Sequence, residues 1–586
     1  MSMVRNMVRP MVRSMVRGMT EGLSGYSPLF WFNNMGQMNT PTGSTTKDNT
    51  RTSITTVFDH EGIVRECLAG EIAIDGGRRV ETLTSTLTTH NVTVVSGRIY
   101  QVSCEGDNAS TVVLTGAATG TLTNDGVDRQ GFDTAKTAST TTLTLTVSGT
   151  LTHIQVEDVT GQASTVPGEK LDISTDYGFN VNGVKGFSID LGNSISSGVV
   201  TEAAGAIISP VPQVLMQPNR TNAITYSKDL TNAAWTETGT SVAALDETGM
   251  DGVANSVCTL TDDNGAGYEF VYRTPTVAND SNTHTVRAFI SKDSDVSRFV
   301  AVHVQVTGGT AQSGYGWLNT STGAVTTSGV VGTFTVEANS VGDRWELILS
   351  LANNSTGNTA LRIQLIPAAG TVIGTLSTAA TGSTIVGNVE FHENKTIDEI
   401  RGTSPIFTSG SAVTIDNDLI EIADFDTWMP TAEFVIIFAF TPEGDWAAIG
   451  AEDLLYSGAN AKLAYRASTQ DGLEVTDGTN TSNIDSGHTP GDEVVMGVIG
   501  SAGFNKLQTG YTPDAGTTWN WDATPASFTS ISPAILLEIW KVIASKTSQR
   551  GLLIYEEMPP SDNGNLTEVQ DWVESNYASE LQKVQG

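Results

Sequence analysis

The sequence predicts an all-β chain: tandem antiparallel β-sandwich modules behind an extended N-terminal anchor, closed by a short C-terminal helix. Three observations carry that expectation. Charged residues are 16% and aromatics 7% of the 586 residues, while glycine contributes 59. This composition suits many short strands joined by turns, with threonine on half-buried pleated faces. Apolar residues, 39% of the chain, recur at every second position over long stretches. Glycine, asparagine and serine then punctuate those runs at turn spacing. Hydrophobic content this evenly spread argues against disorder. Lysine, glutamate and leucine are too sparse for a long coiled coil. At ~150 residues per domain, the length suggests roughly three to four domains.

Residues 1–52 are predicted to be an anchor and linker. The tetrapeptides MVRN, MVRP, MVRS and MVRG fill 3–18, so Met3, Met7, Met11 and Met15 recur every four residues, as do Arg5, Arg9, Arg13 and Arg17. A helix would carry adjacent Met and Arg stripes, but Pro10 interrupts it at a cost of ~3 kcal/mol. An extended strand would place every Met and Arg on one face. With no acid before Glu21, the repeat is expected to dock into an acidic, apolar groove on a partner; a disordered basic leader is the alternative. Leu29, Phe30, Trp31 and Phe32 form an aromatic knot that should pack on that partner or on a neighbouring chain.

A small β-sandwich is predicted over 53–165, where Leu143, Leu145 and Val147 alternate with Thr142, Thr144 and Thr146 before the Ser148-Gly149 turn. Residues 166–218, with Pro210, Pro212 and Pro218, read as a connector. A second sandwich covers 219–408. There Val300, Val302, Val304 and Val306 share one strand face, Trp345, Leu347, Leu349 and Leu351 another, and Leu361, Ile363 and Leu365 a third. A third sandwich takes 409–586. Its runs FVIIFAF (434–440) and AILLEIWKVIA (534–544) are apolar at nearly every position, as central strands covered on both faces should be. Asn565 and Glu568 then start a helix whose stripe of Leu566, Val569, Trp572, Val573 and Tyr577 needs a surface, from the third module or a neighbouring subunit.

The balance of 31 basic against 64 acidic residues gives a net charge of −33. Such a field repels phosphates and anionic lipids, so nucleic acid is not an expected partner. No apolar run reaches the ~18 residues a membrane span needs, so no membrane insertion is expected. The basic start has no apolar h-region, unlike a secretory signal. Cys67, Cys104 and Cys258, odd in number and far apart, read as small buried hydrophobes rather than a disulfide framework.

Reaction machinery is sparse. No nucleophile elbow, zinc-protease motif, P-loop or dinucleotide fingerprint is present, and the seven histidines show no metal-ligand spacing. His303, on the valine-alternating strand, reads as solvent-facing. No enzyme activity is expected and no cofactor, with calcium as the single inorganic candidate. Asp262 and Asp263 beside Asn264, and Asp416 and Asp418 around Asn417, could supply oxygen ligands. Asp and Asn are equally good turn formers, which is the preferred reading. Sugar binding needs flat aromatic faces beside hydrogen-bonding groups. The candidates are Trp519 with Trp521, Tyr268 with Tyr272, and Tyr315 with Trp317, each weighed against a core or inter-sheet role. Trp235, within NAAW, is expected in the core.

Four stretches resemble modular structural proteins of tailed bacteriophages, the tail-fibre, minor tail and appendage proteins. TTVFDHEGIVRECLAGEIAIDGGRRVETL (55–83) is similar to the segment that introduces their β modules. VVLTGAATGTLT and LTLTVSGTLTHIQVED, within 110–158, resemble the small sandwich of the same proteins. PNRTNAITYSKDLTNAAWTETGT (218–240), with NVEFHENKTIDEIRGTSPIFTSGSAVTIDND (388–418), resembles the opening and close of their carbohydrate-binding-module-like sandwiches. RGLLIYEEMPPSDNGNLTEVQDWV (550–573) looks like the end of a concanavalin A/laminin-G-like jelly roll. The MVR leader has no counterpart in the family. The resemblance implies a non-catalytic virion protein, assembled in the bacterial host cytoplasm. Its N-terminus would be held by a portal, tail or capsid protein, and it would contact host envelope polysaccharide through its sandwiches. It also implies a homo-oligomer, a trimer. A capsid-decorating or head-fibre protein without a ligand, and a polysaccharide depolymerase, are the alternatives.

Overall fold

The computed structural model describes short strands within 30–49, most of 51–168, strands between 179 and 201, nearly all of 213–444, most of 452–555 and parts of 569–574. The chain is all-β, and every described strand pairing is antiparallel. Described helix is confined to Ile397–Ile400, Phe425–Trp428 and the stretch within 569–574.

Three two-layer cores account for six of the eight described sheets. In the first, a four-stranded sheet containing Thr111–Gly116 and Thr142–Ser148 faces an eight-stranded sheet centred on Tyr100–Gly106 and Leu151–Asp158. Leu143, Leu145 and Val147 point inward and the intervening threonines outward, as the period of two requires. The second core lies between two six-stranded sheets. Val300, Val302, Val304, Val306, Leu347, Leu349, Leu351, Leu361, Ile363 and Leu365 fill it, with Trp345 packed at its margin. The third lies between a nine-stranded and a seven-stranded sheet. Glu433–Pro442 runs between Val494–Ser501 and Thr547–Tyr555, and is buried from Phe434 onward.

The order of the chain through these cores departs from a simple succession of modules. Phe30–Asn33 pairs with Thr547–Tyr555, and Lys47–Asn49 pairs with Ile420–Ile422. Gln213–Met216, inside the predicted connector, pairs with both Thr547–Tyr555 and Ile74–Asp75. The third sandwich is therefore assembled from 30–49, 74–75, 213–216 and 420–555, and the first two are inserted into it. Strands of two to four residues are too short to show a period of two, which is why the sequence reads them as linker.

A hairpin, Thr55–Phe58 with Val64–Cys67, wedges the three cores together. Val57 and Cys67 belong to the third core, while Val64 packs with Met250 and Phe289 of the second. Arg65, fully buried, bonds Asp59 at 2.8 Å and Asp158 of the first sandwich at 3.1 Å. Burial would raise the Asp158 carboxyl, but Arg65 and Arg98 hold it below its ordinary range. Gly161 and Gly252, both at positive φ, let the first and second sandwiches touch backbone to backbone; a Cβ on Gly161 would sit 2.7 Å from the Gly252 Cα.

In the second sandwich the two outer sheet faces differ. The outer face of the sheet holding Thr283–Ser291 is closed by residues 397–408. Arg287 there bonds Glu346 at 2.9 Å, Glu390 at 2.6 Å, and the carbonyls of Thr403 and Ser404. The opposite face carries the candidate site.

Candidate functional site

Alternation decides which residues reach that opposite face. Val271, Leu365, Ile363, Val302 and Val304 point into the core, so their neighbours point out. Cross-strand register then aligns them. Tyr272 lies opposite Gln364, Gln364 opposite His303, His303 opposite Tyr315, and Tyr315 opposite Ser328. The adjacent row holds Ile366, Ala301, Trp317 and Thr326.

The rings on this face are close together. Tyr268 and Phe270 have centroids 6.0 Å apart, and Phe270 and Tyr272 6.1 Å apart. His303 stacks on Tyr315 at 4.0 Å with 14° between planes. Its Nδ1 meets the Gln364 side-chain oxygen. Burial holds the His303 imidazole below its ordinary pKa, Gln364 opposes this, and Arg362 adds to it, so the ring is neutral near pH 7. Burial likewise raises the Tyr315 phenol. The Arg362 guanidinium lies 4.1 Å from the Tyr272 ring centre and 5.6 Å from that of Phe270. Tyr268, Tyr272 and Tyr315 are half-buried. The result is a face of aromatic rings edged by phenols and a cation, with Gln364 and His303 buried beneath at 7% and 8% exposure, so His303 is covered by its neighbours where the sequence read it as solvent-facing.

Sequence candidates are redistributed by this geometry. Tyr268, Tyr272 and Tyr315 come together on the face. Trp317 does not reach a ligand: it is fully buried, packs with Ile366, Ala369 and Ile373, and donates from Nε1 to Ser328 Oγ at 2.8 Å. Trp519 and Trp521 lie on the third sandwich, stacked at 5.5 Å and half-buried. They cover glycines of the nine-stranded sheet; a Cβ on Gly510 would fall 2.3 Å from the Trp521 ring. Trp521 Nε1 donates to Glu574 Oε1 at 2.8 Å, and Val569 and Val573 are buried, so the C-terminal helical stretch lies on the third sandwich.

Of the candidate carboxylates, Asp262, Asp416 and Asp418 are engaged within the chain. Asp262 accepts from the backbone N–H of Asn264 and Glu269 at 3.1 and 3.0 Å, and the N–H of Asp263 donates to Glu269. Asp418 holds Arg51 at 2.8 Å and accepts from the Gln217 N–H at 3.0 Å, while Asp416 accepts from Thr52. The Asp416 and Asp418 side chains thus fasten the N-terminal segment where the sequence offered calcium ligands. Among the described residues no group of three or more His, Cys, Asp or Glu is placed to hold a metal ion.

Met3, Arg5, Met7, Arg9, Met11, Arg13, Met15 and Arg17 lie outside the described residues. The backbone of Phe30, Trp31 and Phe32 pairs with Ile554, Leu553 and Leu552 of the same chain, where the sequence pointed to a separate partner. His303, Gln364 and Arg362 were missed as members of the face. Their signal was present, since each is a polar residue alternating with core valines, leucines or isoleucines, but alternation alone cannot say which strands lie side by side.

No family model matches the chain, and no curated protein matches it. Among solved structures it is similar to the N-terminal CBM22-1–CBM22-2 tandem domain of Paenibacillus barcinonensis Xyn10C, at 11% identity and a TM-score of 0.20, covering 55% of this chain and 93% of that one. It is also similar to the ANXUR2 extracellular domain of Arabidopsis thaliana, at 8% identity and a TM-score of 0.18, covering 60% of this chain and 97% of that one. Neither neighbour is a phage protein, and at these scores neither informs on a ligand.

Proposed function

We propose that this chain binds glycans without cleaving them, through the aromatic face of its second sandwich. The observation that carries this is the row Tyr272, Gln364, His303 and Tyr315, flanked by Tyr268 and Arg362. Pyranose C–H faces stack on aromatic rings, and the half-buried phenols and guanidinium are groups that hydrogen-bond sugar hydroxyls, above the buried Gln364 and His303. A glycosidase would need two carboxyls ~5–9.5 Å apart across the sugar; the row itself is built of aromatic, amide, imidazole and guanidinium groups. Resemblance to phage structural proteins supports the wider setting: an appendage of a tailed-phage particle, present in several copies, whose weak single-site contacts add up on a host surface. Residues 3–18 would then meet a portal, tail or capsid protein.

The test incubates the full-length chain with envelope polysaccharide from candidate bacterial hosts, and reads binding and release of reducing ends in the same sample. Binding without release is expected. Tyr272→Ala and Tyr315→Ala should each weaken it roughly tenfold. Release of reducing ends would make the protein a depolymerase. Neither signal would leave a ligand-free spacer of the capsid-decorating or head-fibre kind, which the buried clamps around Arg65 and Arg287 would suit.

A further inference from the structure

We infer, resting on glycan binding at this face, that the ligand is an acidic polysaccharide whose sugar carboxylate is received by Arg362. The second sandwich contains seven arginines, and six of them donate to protein acceptors. Arg362 is the exception. Its Nε is buried without an acceptor, and its terminal nitrogens bond no protein group among the described residues. In a chain with 64 acidic and 31 basic residues, a cation left without a carboxylate stands against the overall balance. Six neighbours in the same fold are neutralised or tied to carbonyls, hydroxyls or amides, so the sequence had acids enough to pair this one as well.

Position gives the free cation its use. The guanidinium lies over the ring of Tyr272, 4.1 Å from its centre. Held over a ring in this way, a guanidinium can still present an N–H fork, the geometry that grips a carboxylate with two parallel hydrogen bonds. A sugar ring lying on Tyr268, beside the Arg362-covered Tyr272, would bring a carboxylate on its rim to that fork. Hexuronates and nonulosonates both carry such a group. The chain's net negative field does not forbid this, because charges beyond ~8 Å are largely screened at physiological salt while a contact ion pair is not.

The experiment uses the full-length chain at physiological ionic strength and immobilised polygalacturonate, alginate and polysialate, each beside its carboxyl-reduced form. Polygalacturonate and alginate report on hexuronates, and polysialate on nonulosonates. Expected is binding to at least one acidic polymer, weakened roughly tenfold by carboxyl reduction. Arg362→Gln should weaken the acidic polymer by about the same factor and the reduced one far less. Arg362→Lys, which keeps charge without the fork, should recover part of the loss. If the reduced polymer binds as well as the acidic one, or Arg362→Gln weakens both alike, the acidic ligand is wrong while glycan binding stands. If no polymer binds, acidic or neutral, in this panel or from host envelopes, both fail together. If Arg362→Gln changes the sedimentation of the free protein, the face is a contact between copies of the chain and the inference is overturned.

Discussion

Tyr272 and Trp317 have the same standing in the sequence, each one member of an aromatic pair at strand spacing, and their surroundings separate them. Trp317 has no exposed surface and its indole N–H is committed to Ser328, whereas Tyr272 is half-buried beneath Arg362. Trp317→Ala would remove a whole buried indole, at a cost of ~3–5 kcal/mol in denaturant unfolding. Tyr272→Ala should cost much less stability and lose glycan affinity instead. A stable Trp317→Ala protein with lost binding would reverse the assignment. Alternation made the two faces of each strand legible, and Trp235 sits in the core as its motif implied, donating to the Tyr226 carbonyl. Which outward residues meet was not legible. Gln364 reaches Tyr272 and His303 only through pairing between strands far apart in the chain, and nothing local encodes that register.

At the scale of elements, the segment 388–408 shows how a sheet face is shut. Val389 and Phe391 enter the core, so Glu390 and His392 turn outward together. There Glu390 meets Arg287 at 2.6 Å and His392 at 2.8 Å. Burial would raise the Glu390 carboxyl, but Arg287 and His392 bring it down to about 2. Folding therefore gains from this group above its unfolded pKa of ~4.3, and that gain is lost as pH falls from there toward 2. Burial depresses His392, with Arg287 and Arg220 adding to the effect against Glu390. Below its ordinary pKa the unfolded chain takes up a proton that the folded one resists, so stability starts to decline below ~6.5. His284 and His303 are depressed as well and act in the same direction. The urea midpoint should thus be flat from pH 8 to 7, fall gently below 6.5 and fall steeply below 4.5. His392→Gln should shrink the first decline; an unaltered slope between pH 7 and 5 would rule His392 out. Periodicity showed the strand, but the four-residue helix Ile397–Ile400 that helps close the face is too short to leave a helical stripe in the sequence.

For the whole molecule, the nested order of the sandwiches changes what the N-terminus can be. Each core was legible from its longest strands, since Glu433–Pro442 and Phe299–Thr307 carry enough apolar positions to declare themselves. The way the cores are threaded was not, because it depends on strands such as Gln213–Met216 and Lys47–Asn49. Phe30–Asn33 pairs with Thr547–Tyr555, so the two ends of the chain close one sheet. Arg51, bonded to Asp418 at 2.8 Å, fastens the same segment from the other side. The Met/Arg repeat of residues 3–18 precedes these paired strands. Deleting 1–20 should leave thermal stability unchanged and abolish incorporation into particles if the Met/Arg repeat is the anchor. Deleting 1–51 removes three paired strands and breaks the buried Arg51–Asp418 pair, a loss of ~3–5 kcal/mol. At ~2–4 °C per kcal/mol for a domain of this size, the melting temperature should fall by roughly 6 °C or more, with the loss confined to the third sandwich. An unchanged melting temperature after the longer deletion would show that these strands add nothing to the third sandwich, and the aromatic knot at 30–32 would again be free to meet a partner.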